Sequence, residues 1–102
     1  MKKLRLTILA IVATMFASSA SAFDPADLKN LLDTNECVRC DLREAFLPNT
    51  SLNSADLIGA NLYKANLSGS YLEGADLNYA FMEGVILCNT TMPDGSVIYS
   101  GC

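Results

Sequence analysis

A leucine at every fifth position is the feature that most constrains the fold of this 102-residue chain. The run holds eight consecutive members, which are Leu42, Leu47, Leu52, Leu57, Leu62, Leu67, Leu72 and Leu77. Met82 and Leu87 continue the series at the same spacing. A small residue stands two positions before most members, as Ala55 and Ala60 do. Each five-residue unit therefore contains a leucine and a small residue two positions before it, and both are expected to face the same way.

A period of five fits neither a straight helix nor a flat strand. On an α-helix, successive leucines would lie about 140° apart and would spread around the whole surface. On a strand, an odd step moves each leucine to the opposite face of the sheet. A chain that turns a corner every five residues places all the leucines on one inner side. The pattern therefore predicts a tube with an apolar interior.

The stretch from Ala55 to Gly69, ADLIGANLYKANLSG, resembles the A-(D/N)-L-x-x signature of pentapeptide-repeat proteins. The resemblance covers residues 40–89, and Thr50 and Ser70 depart from it because they replace the usual alanine. It implies an all-β fold, a right-handed quadrilateral β-helix with four units per coil and about 2.5 coils. Residues 20 apart should then stack, so that Leu42 lies below Leu62 and Met82.

The segments flanking the repeat have other patterns. Residues 1–22 combine basic residues, an apolar run over 6–16 and a terminal Ala20-Ser21-Ala22, which is typical of a signal peptide cleaved after Ala22. We therefore expect an exported protein, periplasmic or extracellular, with no stable membrane insertion after cleavage. Residues 23–39 form the predicted capping helix and loop, 40–89 the β-helix, and 90–102 a C-terminal capping segment.

The predicted capping helix begins at Asp24, a good N-cap, with Pro25 in the first helical position. Leu28, Leu31 and Leu32 fall on one face and are expected to dock on the end of the tube. At the opposite end, the apolar run from Val97 to Tyr99 is expected to seal the last coil.

Four cysteines follow the predicted leader, an even number that suits disulfides in an exported protein. In the β-helix that the resemblance implies, the two ends lie about 12 Å apart, which favours Cys37–Cys40 and Cys88–Cys102 over cross-pairing. Two alternatives stay open. The C-x-x-C at Cys37 and Cys40, with Arg39 inside it, is compatible with thiol-redox activity, and cysteine clusters also bind zinc.

Charge and composition limit the classes of function. Removing the three basic residues of the leader takes the net charge from −4 to about −7, which opposes nucleic-acid binding by phosphate neutralisation. The chain has no histidine and no recognisable catalytic constellation. We therefore expect a non-enzymatic structural or protein-interaction module without a cofactor. The sequence names no partner, although open ends could stack into a homo-oligomer.

The coil arithmetic places Tyr63, Tyr79 and Phe81 near one corner of the tube, as a candidate interaction surface. A further alternative follows from the family resemblance, since some members mimic duplex DNA and inhibit topoisomerases. The acidic charge fits that function. The short tube and the export signal oppose it.

Overall fold

The structure, a computed structural model, describes residues 22–102. The predicted signal peptide therefore lies outside the described residues, apart from Ala22. Helix α1 spans Pro25–Thr34, and two strands follow much later, β1 at Leu87–Thr91 and β2 at Val97–Ser100. Within residues 22–102, no helix is long and apolar enough to cross a membrane.

From Glu36 onward, parallel bridges join one residue of each five-residue unit to the residue 20 positions later. Eight isolated parallel bridges run in this register, from Glu36–Asp56 to Tyr71–Thr91. The backbone N–H of Leu57 donates to the Asp76 carbonyl at 2.9 Å. One coil of the chain therefore takes 20 residues, or four five-residue units, as the family resemblance implies. The architecture is a β-helix.

Each five-residue unit ends in a corner with left-handed backbone. The second residue after every leucine position has a positive φ, at eleven consecutive units from Arg39 to Asn89. The N–H of the residue that follows closes the turn, as Ala60 N–H does by donating to the Leu57 carbonyl at 3.0 Å. This combination matches a type II β-turn, whose third residue favours glycine. Gly59 supplies that residue, whereas Tyr79 adopts the same conformation with a φ of 62°.

The Asp or Asn before each leucine stabilises the same corner. The Asn66 Oδ1 accepts a hydrogen bond from the N–H of Ser68 at 3.0 Å, and Asn61 Oδ1 accepts one from Tyr63 N–H at 3.1 Å. A short polar side chain is suited to this bond with the backbone two residues later. The signature residues of the repeat therefore have a local structural function.

The leucines form columns inside the coils, and the alanines fill the space beside them. Leu42, Leu57, Leu62, Leu67 and Leu72 are fully buried. Where hydroxyl residues replace alanine, the structure satisfies them.

The Ser70 hydroxyl donates to the Leu47 carbonyl and accepts from Thr50 N–H. The Thr90 hydroxyl donates to the Leu67 carbonyl at 2.7 Å. Polar groups inside the tube are therefore paired.

The ladder extends beyond the predicted range of 40–89 at both ends. Cys37 takes a leucine position, and its N–H donates to the Asp56 carbonyl at 2.7 Å. At the other end, Gly74 N–H donates to the Pro93 carbonyl at 2.9 Å, with Met92 in the leucine position. Cysteine and methionine in place of leucine concealed these two units in the sequence.

Helix α1 covers the N-terminal end of the core. The Asp24 side chain caps it by accepting from Ala26 N–H at 2.9 Å, as predicted. Leu31 is 1% exposed and joins the core, and Leu28 packs partly against it. Leu32 is 55% exposed, so the predicted docking of all three leucines is wrong for this residue. Leu32 lies about 100° around the helix from Leu31, beyond the contact with the coil.

Strand β2 pairs with β1 in antiparallel register, from Leu87–Ser100 to Thr91–Val97, with an irregularity between Cys88 and Thr90. It therefore extends a sheet edge instead of covering the core. Val97 and Tyr99 are 46% and 70% exposed, so the expectation that residues 97–99 seal the last coil is wrong. Because strand side chains alternate between faces, a strand added at the edge cannot bury all three.

Candidate interaction surface at the C-terminal end

The apolar interior reaches the surface at the C-terminal end of the tube. The last coil places Leu77, Met82, Leu87 and Met92 in the leucine positions, and all four are only partly buried. The leucines one coil earlier are fully buried. Each coil is therefore shielded by the next one, and the last coil lacks such a neighbour over part of its length.

Backbone groups follow the same pattern. In earlier coils, the N–H of the leucine position and of the second residue after it donate to the next coil, as Leu57 and Gly59 do to Asp76 and Asn78. The carbonyl two residues before the leucine accepts from the next coil, as Ala55 does from Asp76.

The last coil repeats these groups without a following coil. Within residues 22–102, the N–H groups of Leu77, Tyr79, Met82 and Gly84 and the carbonyls of Ala75 and Ala80 have no hydrogen-bond partner. Strand β2 covers only the stretch that follows, at residues 87–91. We call residues 75–84 the open edge. An unpaired edge of this kind is a template for another strand.

A shallow cavity lies against one part of the open edge. Residues 74–78 and Pro93 line it, and its volume is about 520 Å³. Leu77 contributes an apolar side chain to this cavity, while Asp76 and Asn78 contribute polar groups. The edge therefore combines free backbone groups with a concave surface.

The three aromatic residues predicted to cluster are only partly brought together. The rings of Tyr63 and Phe81 stack with centroids 6.0 Å apart, and the Lys64 ammonium lies 5.2 Å from the Tyr63 centroid. Tyr79 is 93% exposed and lies on the open edge itself. Phe46 and Tyr71 are also exposed on other sides of the coil, as is Tyr99 on β2, and none of the three was included in the predicted surface.

The C-terminal third of the chain is uniformly acidic. No lysine or arginine follows Lys64, whereas four carboxylates do, at Glu73, Asp76, Glu83 and Asp94. The Ser96 hydroxyl donates to Asp94 and holds the pKa of that carboxyl below its usual value. Asp76 and Glu83 belong to the open edge itself, where Lys64 of the preceding coil packs beneath Gly84.

The cysteines are bonded as Cys37–Cys40 and Cys88–Cys102, with Cα–Cα distances of 5.2 and 4.9 Å. These are the pairs that the repeat geometry favours. Cys37 and Cys40 are buried at the N-terminal end, whereas Cys102 is exposed. In the part of the chain that the structure describes, no group of three or more His, Cys, Asp or Glu side chains could hold a metal ion.

The comparison with known proteins agrees with this architecture. A family model described as "Pentapeptide repeats" matches residues 36–74 and 65–94. Among curated proteins, no sequence matches the chain significantly.

Two solved structures are similar. HetL, involved in heterocyst differentiation regulation in the cyanobacterium Nostoc sp. strain PCC 7120, is 29% identical with a TM-score of 0.49, over 64% of this chain and 40% of HetL. Rfr23 from the cyanobacterium Cyanothece 51142 is 31% identical with a TM-score of 0.39, over 64% of this chain and 47% of Rfr23. The chain thus spans less than half the length of either protein. Because the family model matches more than half of the chain, the chain belongs to the pentapeptide-repeat family.

Proposed function

We propose that this chain is an exported, non-enzymatic pentapeptide-repeat protein that acts as a structural or protein-interaction module through its C-terminal end. The observation that carries the proposal is the open edge, where backbone groups and apolar core residues share one surface. The leader pattern and the four paired cysteines support a periplasmic or extracellular location.

The proposal includes the finer geometry of the tube, a right-handed quadrilateral β-helix. The 20-residue register and the left-handed residue at every corner support four sides per coil. With the ladder extended to residues 36–93, the tube has roughly three coils and a length of about 14 Å.

Two other functions have weaker support. A redox function would require an accessible C-x-x-C, and Cys37 and Cys40 are buried at 1% and 6% exposure. A DNA-mimicking function would require a long acidic surface, and a tube of about 14 Å spans only about four base-pair steps.

A site-specific photocrosslinker in the native host tests the proposed surface. We expect discrete protein adducts when the crosslinker replaces Tyr79 on the open edge. The control places it at Val38, which is 50% exposed near the N-terminal end. Equal labelling at both positions, or no adduct at Tyr79, would remove the support for this surface.

Intact mass and cell fractionation of the same samples test export. A cytosolic protein with its leader intact would contradict the proposed export.

A further inference from the structure

The C-terminal edge of the last coil already pairs with one added strand. Strand β2 lies beside β1 and continues the sheet in antiparallel register from Leu87 to Thr91. Strand β2 therefore covers one part of the C-terminal edge of the last coil, and the open edge is the uncovered part. The free backbone groups of the open edge fall into two sets on neighbouring sides of the coil. The first set is Leu77 N–H, Tyr79 N–H and the Ala75 carbonyl. The second set is Met82 N–H, Gly84 N–H and the Ala80 carbonyl.

The side chains beside the open edge indicate what an added segment must carry. Leu77 and Met82 are partly buried and face the interior, so the segment needs apolar side chains over them. In an extended strand, the alternate side chains then point outward. Glu83 is exposed beside this edge, Asp76 is partly exposed, and no basic side chain follows Lys64. Outward-pointing lysine or arginine would complement these charges.

The same charges argue against a second copy as the occupant. Stacking two C-terminal ends would bring Glu73, Asp76, Glu83 and Asp94 of one chain close to the same four carboxylates of another. Like charges across an interface are unfavourable, and Lys64, which packs beneath Gly84, gives each end one nearby ammonium against these four carboxylates. The expected homo-oligomer by end stacking therefore fits this surface less well than a basic partner does.

We infer that the open edge binds an extended segment of a partner protein in which apolar residues alternate with lysine or arginine, by β-strand addition. Main-chain hydrogen bonds to the free groups of residues 75–84 provide the attachment, and the acidic surroundings select for basic segments. The inference rests on the proposed function, because it names the partner chemistry of that same surface.

Amide hydrogen exchange on the disulfide-bonded exported protein tests the inference directly. The probe is the synthetic peptide acetyl-(Lys-Val)₃-Lys-amide, and the matched control replaces every lysine by glutamate. We expect the lysine peptide at saturation to slow exchange at least fivefold at the N–H groups of Leu77 and Tyr79, of Met82 and Gly84, or of both pairs. Leu57 N–H, which is already paired within the ladder, should not change. An N-methylated lysine peptide keeps the charge and the carbonyl acceptors, but it cannot donate to the Ala75 and Ala80 carbonyls and its methyl groups obstruct close pairing of strands. It should therefore give much weaker protection.

Charge variants provide the second measurement. Glu83→Gln, which removes an exposed carboxylate near the edge, should weaken binding of the lysine peptide about two- to fivefold. Glu44→Gln, an exposed change two coils before the edge, should leave it unaltered. Equal binding of the glutamate peptide, or no protection by the lysine peptide, would overturn the inference.

The remaining outcomes separate the inference from the proposed function. Protection of the same amides that rises with protein concentration alone would assign the edge to a second copy and would also overturn the inference. If photocrosslinking at Tyr79 gives adducts while the lysine peptide gives no protection, the interaction surface stands and only the partner chemistry is wrong. If both experiments give nothing, the proposed function fails as well.

Discussion

The backbone N–H of Asp41 donates to the carboxylate of Asp27 at a distance of 2.8 Å. In later coils the equivalent N–H groups, those of Asn61 and Phe81, donate to carbonyls of the preceding coil at 2.9 Å. Asp41 has no preceding coil, and a side chain of helix α1 supplies the missing acceptor. Helix α1 therefore satisfies part of the backbone at the N-terminal end, in addition to covering the core.

Replacing Asp27 by alanine should lower the free energy of unfolding by about 1–3 kcal/mol, because the Asp41 N–H loses its acceptor. Chemical denaturation of the disulfide-bonded protein measures this change. Asp33→Ala is the matched control on the same helix, since Asp33 is exposed and forms an exposed i,i+4 pair with Lys29. It should cost no more than about 0.5 kcal/mol. Equal losses in the two variants would contradict the capping function of Asp27.

Truncations within one core column should report how the C-terminal end is covered. Leu62 is fully buried, whereas Met82 above it is only partly buried. Leu62→Ala should destabilise the protein by about 3–5 kcal/mol, and Met82→Ala by about 1–2 kcal/mol. Thermal and denaturant unfolding provide both values. If the two truncations cost the same, the last coil is covered as fully as the one before it.

Two glycines with similar backbone conformations should respond differently to alanine. Gly69 and Gly95 have φ values of 69° and 86°, so alanine is unfavourable at both by about 1–2 kcal/mol. At Gly69 the added Cβ would also overlap the Asn49 side chain, whereas at Gly95 the nearest atom is Glu73 Oε2 at 3.5 Å. Gly69→Ala should therefore be the more destabilising variant by about 1 kcal/mol or more. The reverse order in denaturation experiments would exclude this packing account.

The two disulfides should differ in accessibility to a reductant. Cys102 is exposed and Cys88 partly so, while Cys37 and Cys40 are buried. Brief treatment with a water-soluble phosphine, followed by alkylation and peptide mapping, should label Cys88 and Cys102 first. Because the Cys88–Cys102 disulfide closes a loop of about 15 residues, its loss should lower the free energy of unfolding by roughly 3 kcal/mol. Labelling of the N-terminal pair first would contradict the burial seen here.

The Asp41–Arg43 pair should give a small pH dependence to stability. Arg43 donates to both Asp41 oxygens and holds the pKa of that carboxyl below its ordinary value of 3.8. Because the folded pKa is the lower one, the stabilisation is present above the ordinary pKa and is lost as the pH falls through the folded pKa. Arg43→Leu should therefore reduce stability at pH 7 and converge with the wild type in strong acid. A constant difference between the two proteins at all pH values would argue against this pair.

The periodic part of the fold could be predicted because a single residue type marks every coil position. Leucine at every fifth residue marked the units, and the family resemblance supplied the four units per coil that the Asp41–Asn61 and Asn66–Ile86 bridges show. The ends of the ladder were harder to predict, because Cys37 and Met92 replace leucine in the first and last units. The pairing of β2 was missed for another reason. An antiparallel strand at the edge of a parallel coil is a tertiary arrangement, and the apolar residues 97–99 fit either a lid or a strand.

The arrangement of the candidate surface was predicted less well than the fold. Tyr63 and Phe81 stack as expected, since their positions follow from the 20-residue register. The open edge could not be read in the same way, because free backbone groups leave no mark on residue identity. It emerges only when the last coil is compared, bond by bond, with the one before it.

The 20-residue register also determines how such a chain can change in length. Duplicating one full coil would lengthen the tube by about 4.8 Å and leave every outward side chain on its own side. Duplicating a single five-residue unit would move all later residues one side further round. Inserted between Tyr63 and Phe81, such a unit would separate the stacked rings and turn the open edge to face a different direction. Evolution by whole coils therefore preserves a binding surface, whereas evolution by single units creates a new one.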